Sequence, residues 1–121
     1  MPTAANQPPR LYHNPRCSKS RAALELLRAQ GVEPELVLYL EHPPGVEQLR
    51  TLAGKLGGDV RAMVREVEPE FADLRLDDPS LDDDRLIAAL AGHPRLLQRP
   101  ILETADRARI GRPPEALLEI L

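Results

Sequence analysis

The chain has 121 residues, enough for one compact domain with a real core and too few for two. Hydrophobic residues make up 42% and charged residues 29%, a balance that excludes disorder throughout; with only 2% aromatics, Leu, Val, Ile and Ala must build the core. A formal net charge of −3 argues against generic nucleic-acid binding, no apolar run approaches the ~20 residues of a bilayer span, and the single cysteine excludes an intramolecular disulfide and a cysteine-based metal site.

Residues 1–9 lack the apolar stretch of a signal peptide and are expected to form a flexible tail. The lone thiol suits a reducing, cytoplasmic compartment, where any redox cycle needs an external thiol. From Arg10 onward a single domain is expected. Arg10 to His13 reads as a short strand, closed by the turn pair Asn14-Pro15. From Cys17 to about Gln30, Ala22, Ala23, Leu26 and Leu27 recur at helical spacing, and Gly31 stands where a left-handed C-terminal cap belongs. Glu35 to Leu40 is a nearly continuous apolar run between Pro34 and His42-Pro43-Pro44, the pattern of a buried parallel strand. The opening is therefore βαβ, and connection rules favour a right-handed crossover.

The middle is read as helical: Val46 to Leu56, Val60 to Val67 and Asp82 to Ala91. Arg99 to Thr104 returns to strand character, Arg107 to Ile110 pairs with it as a hairpin, and Pro113-Pro114 opens a last helix ending at Leu121. The order βαβ, helices, ββα gives a mixed α/β fold with an inserted helical layer.

Cys17 follows a strand and a turn and begins a helix, where unpaired N–H groups and the helix dipole favour negative charge. Arg16, Lys19 and Arg21 add positive potential, so this thiol is a candidate nucleophile, and the same N–H groups suit an oxyanion. A lone cysteine is more often buried and inert, but the polar, turn-forming neighbours Pro15, Arg16, Ser18, Lys19 and Ser20 are unlike that setting. Ser20 stands where a dithiol enzyme carries its resolving cysteine, which marks a monothiol site; its hydroxyl can donate to the thiolate or cap backbone groups. His13, four residues before Cys17, can tune the thiol or touch an anion, and a structural histidine fits equally well.

The run His13-Asn14-Pro15-Arg16-Cys17-Ser18-Lys19-Ser20-Arg21 resembles the active-site loop of the glutaredoxin-coupled arsenate reductases. The resemblance continues through Leu38 to Pro44, Val60 to Arg65, His93-Pro94, Arg99-Pro100-Ile101 and Gly111-Arg112-Pro113, covering Leu11 to the end. It implies a thioredoxin-like fold, Cys17 as nucleophile, and Arg65, Arg99 and Arg112 as the three arginines that hold the oxyanion. Arginine suits that task, offering planar, permanently charged donors. It also implies a cis Arg99-Pro100 bond beside the catalytic loop.

The implied reaction is reduction of arsenate, with glutathione as co-substrate, glutaredoxin as partner, no bound cofactor or metal, and a monomeric chain. Established members carry Gly-Thr after the cysteine where this chain has Ser18-Lys19, placing it closer to a sister branch. Two other readings stand beside this one: a glutathione-dependent thiol oxidoreductase acting on another oxyanion or a mixed disulfide, and a redox regulator of the Spx type that binds RNA polymerase. The regulator usually carries a Cys-x-x-Cys switch, which Ser20 removes here. A bare structural domain would show poor thiol reactivity near neutral pH.

Overall fold

The computed structural model describes residues 8–121. The expected tail over residues 1–9 therefore lies almost wholly outside the described residues. Two compact units are present among the described residues: 8–42 with 99–121, and 43–98.

The first unit carries a four-stranded sheet. Its strands are β1 (Arg10–Tyr12), β2 (Glu35–Val37), β3 (Ile101–Glu103) and β4 (Ala108–Ile110), in the order β2-β1-β3-β4. β1 runs parallel to β2 and antiparallel to β3, and β3 runs antiparallel to β4. The two inner strands are the apolar ones: Leu11, Tyr12, Ile101 and Leu102 are fully buried. Tyr12 donates its hydroxyl proton to the buried Glu103 carboxylate at 3.0 Å, pairing both polar groups inside the sheet.

Helix α1 (Ser18–Ala29) connects β1 to β2. Ser20, Ala23 and Leu27 form its buried stripe at i, i+3 and i+7. Ala23 and Leu27 join Leu11, Leu102 and Leu117 in the core, so α1 lies over the two inner strands and the C-terminal segment. The helix ends as its sequence demands. Gly31 has φ +79, the Gly31 N–H donates to Arg28 O, and the Val32 N–H donates to Leu27 O, which is the paired closure of a Schellman motif.

β2 departs from expectation. Only Glu35–Val37 pairs, and Leu38 onward turns away because Leu38 O accepts from both Glu41 N and His42 N. The strand is also not buried: it lies at the sheet edge, with Glu35 and Leu36 exposed. An apolar run alone does not distinguish a central strand from an edge strand continuing into an apolar turn.

The C-terminal segment is a 3₁₀ helix, Pro114–Ile120, rather than an α-helix. It seats Leu117 against Gly111 and Pro100: a Cβ built on Gly111 would lie 2.9 Å from Pro100 Cγ and 3.0 Å from Leu117 Cγ. The Gly111 N–H also donates to Pro100 O at 2.8 Å. Gly111→Ala is therefore expected to cost about 1–3 kcal/mol by overpacking, read as a lower midpoint in urea with unchanged slope.

The second unit is helical, with α2 (Val46–Lys55), α3 (Pro69–Asp73) and α4 (Asp83–Gly92). α2 packs on α4, burying Leu49 and Leu52 on one and Leu86, Ile87 and Leu90 on the other. The helix expected over Val60 to Val67 is only a 3₁₀ turn, Val60–Met63. Val64 instead bridges Leu97, and the Arg65 N–H donates to Leu96 O, so extended backbone pairing replaces the next helical turn. Helix α3 was not expected; Pro69 at its first position marks its start. Among the described residues no helix is long and apolar enough to cross a membrane.

Candidate active site

Cys17 is the N-cap of α1, with extended backbone (φ −94, ψ 123), and is half-buried. Asn14 shapes the loop that carries it. The Asn14 side-chain oxygen accepts the Arg16 N–H at 3.0 Å and its carbonyl accepts the Cys17 N–H at 2.9 Å, closing two successive turns. Arg21, one turn into the helix, donates through Nη1 to Pro15 O at 2.9 Å and ties the loop to α1.

Ser20 ties the loop backbone to α1. It is fully buried, its Oγ accepts the Asn14 N–H at 3.3 Å, and its hydroxyl is among the groups that lower the Cys17 thiol. Its position on the inward stripe of α1, three residues before Ala23, explains why it faces the loop rather than solvent.

The electrostatics of the thiol follow. Burial pushes the Cys17 thiol up. Opposing this are the Ser20 N–H, the Arg99 side chain, the Lys19 N–H and the Ser20 hydroxyl, which together bring it down to about 7. The Cys17 side chain makes no hydrogen bond that caps the helix, so the two N–H groups favour the thiolate through the positive end of α1 rather than through a short bond. A thiol poised at that value is substantially ionised at neutral pH and remains strongly nucleophilic. The rate of iodoacetamide alkylation should therefore be half-maximal near pH 7, rising with pH and levelling above it as the thiolate fraction saturates. A midpoint at the ordinary value of 9.0 would show that these donors do not act on the sulfur.

His13 is buried, its N–H donates to Val37 O at 3.0 Å, and it flanks the loop at the end of β1. Burial, followed by the charges of Arg28 and Arg21, holds its imidazole below the usual histidine range, so it is neutral at pH 7. A cationic His13 touching the anion is not what this setting favours.

The three arginines are placed differently. The Arg99 side chain lowers the Cys17 thiol, and Arg99 precedes a cis bond to the buried Pro100. Arg112 is exposed, donates through Nε to Arg99 O at 2.9 Å, and precedes a second cis bond, to Pro113. Arg65 belongs to the second unit and is partly buried. There its Nε donates to Glu68 Oε1 at 3.3 Å and its Nη1 to Gln98 Oε1 at 3.2 Å, and Glu68 also pairs with Arg95 at 3.0 Å.

Sequence reasoning had valued Asn14 only for its turn with Pro15. Its place as the hub of the loop was foreshadowed by its type, since an Asn side chain before Pro readily accepts the backbone N–H two residues on. The supporting parts of Gln98 and Glu68 carried no sequence signal, because both depend on tertiary pairing.

Comparison with known proteins shows what the chain is similar to. The ArsC family profile matches residues 12–120. An arsenate reductase from Haemophilus influenzae is 46% identical over 112 residues, covering 92% of this chain and 97% of that protein. The uncharacterized protein YfgD of Escherichia coli K12 is 50% identical over 113 residues, covering 93% and 95%. Among solved structures, an arsenate reductase from Vibrio cholerae superposes with a TM-score of 0.90 at 51% identity, covering 93% of this chain and 97% of that one. The mixed α/β, thioredoxin-like fold expected from the sequence is borne out, and the chain belongs to the ArsC family.

Proposed function

We propose that this protein reduces arsenate to arsenite, with Cys17 as nucleophile, glutathione as co-substrate and glutaredoxin as partner. The observation that carries the reading is the place of Cys17 as N-cap of α1, where the Arg99 side chain and the first N–H groups of the helix lower its thiol to about 7. These donors favour a thiolate and can hold the oxyanion it attacks. The arsenate reductases from Haemophilus influenzae and Vibrio cholerae, similar along nearly their whole length, support the choice of substrate.

The Cys17 thiolate attacks arsenic(V), forming an As–S bond and expelling one oxygen as water after protonation. The glutathione thiol displaces a second oxygen in the same way, leaving arsenic(V) bound to two sulfurs. A glutaredoxin thiolate then attacks the glutathione sulfur. A mixed disulfide forms, the As–S bond to glutathione breaks, and its electron pair passes to arsenic, which becomes arsenic(III). Water hydrolyses the remaining As–S bond, releasing arsenite and restoring Cys17.

Arg99 holds the oxyanion at the sulfur, with Arg112 beside it in the same unit; Arg65 is assigned to the same anion on the family resemblance. The test is arsenate-dependent NADPH consumption in a coupled system of glutathione, glutathione reductase and glutaredoxin. Turnover that requires the protein, arsenate and Cys17 supports the reading. A reactive Cys17 without turnover would overturn the choice of substrate.

A further inference from the structure

Beside the cysteine loop lies a cavity of about 300 Å³, formed by residues 13–16 and by Leu38, Leu40 and Glu41 of the turn after β2. That volume is at the lower end for small-molecule sites. Its wall combines one cation, Arg16, one anion, Glu41, and the apolar side chains of Leu38 and Leu40. Neither Arg16 nor Glu41 has a side-chain hydrogen bond or ion pair among the described residues. His13 also lines the cavity. Leu40, 41% exposed, leaves apolar surface open at the same place.

This chemistry is wrong for arsenate and right for a zwitterion. A dianion would meet the Glu41 carboxylate, and the donors suited to it converge instead on Cys17. An α-amino acid head group carries an ammonium and a carboxylate on one carbon, matching one free acid and one free base around a small, partly apolar cavity. Cys17 itself does not line the cavity, but Arg16 does and immediately precedes it, so a ligand seated here lies against the loop that carries the reacting sulfur. We infer that the cavity is the docking place of the electron-donating thiol peptide, with Arg16 holding the carboxylate and Glu41 the ammonium of its γ-glutamyl end. The inference rests on the proposed function for the identity of that thiol, and makes Arg16 and Glu41 specificity residues for the reductant rather than for the oxyanion.

S-methylglutathione, which cannot form a bond to arsenic or to Cys17, is the probe. Titrated into labelled wild-type protein well past the ~1 mM upper end of ordinary KM values, it should shift the amide resonances of Arg16, Leu38, Leu40 and Glu41. Its N-acetyl derivative, which lacks the ammonium, should bind about fivefold more weakly, the scale of one exposed charge pair. In Glu41→Gln the two probes should bind alike. Glu41→Gln should also raise the KM for glutathione about fivefold while leaving the KM for arsenate and the Cys17 alkylation profile unchanged.

No shift at these amides, shifts confined to other residues, or equal binding of both probes to wild type would overturn the inference. These outcomes are independent of arsenate turnover. A protein that reduces arsenate but leaves the cavity unperturbed refutes the docking place alone; one that binds the probe there without reducing arsenate refutes the substrate alone.

Discussion

Cys17→Ser should lower arsenate turnover by about 10⁴-fold or more, on the scale seen when the nucleophile of a hydrolytic site is removed. The loss is chemical rather than structural. A serine hydroxyl is hardly ionised at neutral pH, and the donors around position 17 lower the thiol only to about 7 from a starting point already near the working range. Oxygen also cannot take the place of sulfur in the thiol adduct that precedes electron transfer. The fold should be retained, since Cys17 is half-buried and has the extended backbone of an N-cap, a position where serine is a preferred residue. The expected result is thus no turnover with an unchanged or slightly raised Tm by circular dichroism. Appreciable turnover in this variant would remove Cys17 from the mechanism; a large fall in Tm would mean that the thiol also has a structural part.

The opening βαβ was legible because its punctuation is local. Asn14-Pro15 ends β1, the apolar spacing from Ala22 to Leu27 makes α1, and Gly31 closes it with the left-handed cap expected of it. The position of Cys17 at the helix start was legible for the same reason. What failed were features fixed by distant partners. The Val60 to Val67 run satisfies a helical pattern, but Leu96 and Leu97 take its backbone groups from Val64 onward. The apolar run after Glu35 looks central, yet among the described residues it lies at the sheet edge beside β1, and the chain turns at Leu38.

The site shows the same division. Ser20 was visible as a candidate, but its inward direction follows from sharing a stripe with Ala23 and Leu27, and its coupling to Asn14 from a contact across the turn. The arginines were legible only through resemblance, since any one of them alone is more often a solvated surface residue. Physical description separates them: Arg99 acts on the sulfur itself, Arg112 is tied to the backbone that carries Arg99, and Arg65 is anchored by Glu68 and Gln98. The cavity beside the loop had no sequence signature, because it depends on the turn at Leu38 that replaces the end of the expected strand.

That separation makes Arg99→Ala the most informative arginine variant. Loss of one preorganised donor to a developing oxyanion typically costs 10² to 10³ in rate, so turnover should fall about 10²-fold or more. Arg99 also lowers the Cys17 thiol, and removing it withdraws one of the four donors that oppose burial, so the alkylation midpoint should move upward from about 7. The sign is fixed: a cationic donor favours the thiolate, and without it the thiol holds its proton to higher pH. Arg99→Lys keeps the charge but loses the planar fork, and should recover more of the midpoint than of the turnover. Arg65→Ala and Arg112→Ala are also expected to slow turnover by about 10²-fold. Neither side chain is among the groups that lower the thiol, so both variants should keep the wild-type midpoint. A common shift in all three would indicate general loss of positive potential around the loop, whereas a shift confined to Arg99 would assign the sulfur contact to it alone. If Arg99→Ala changed neither turnover nor midpoint, Arg99 would be excluded from the oxyanion site.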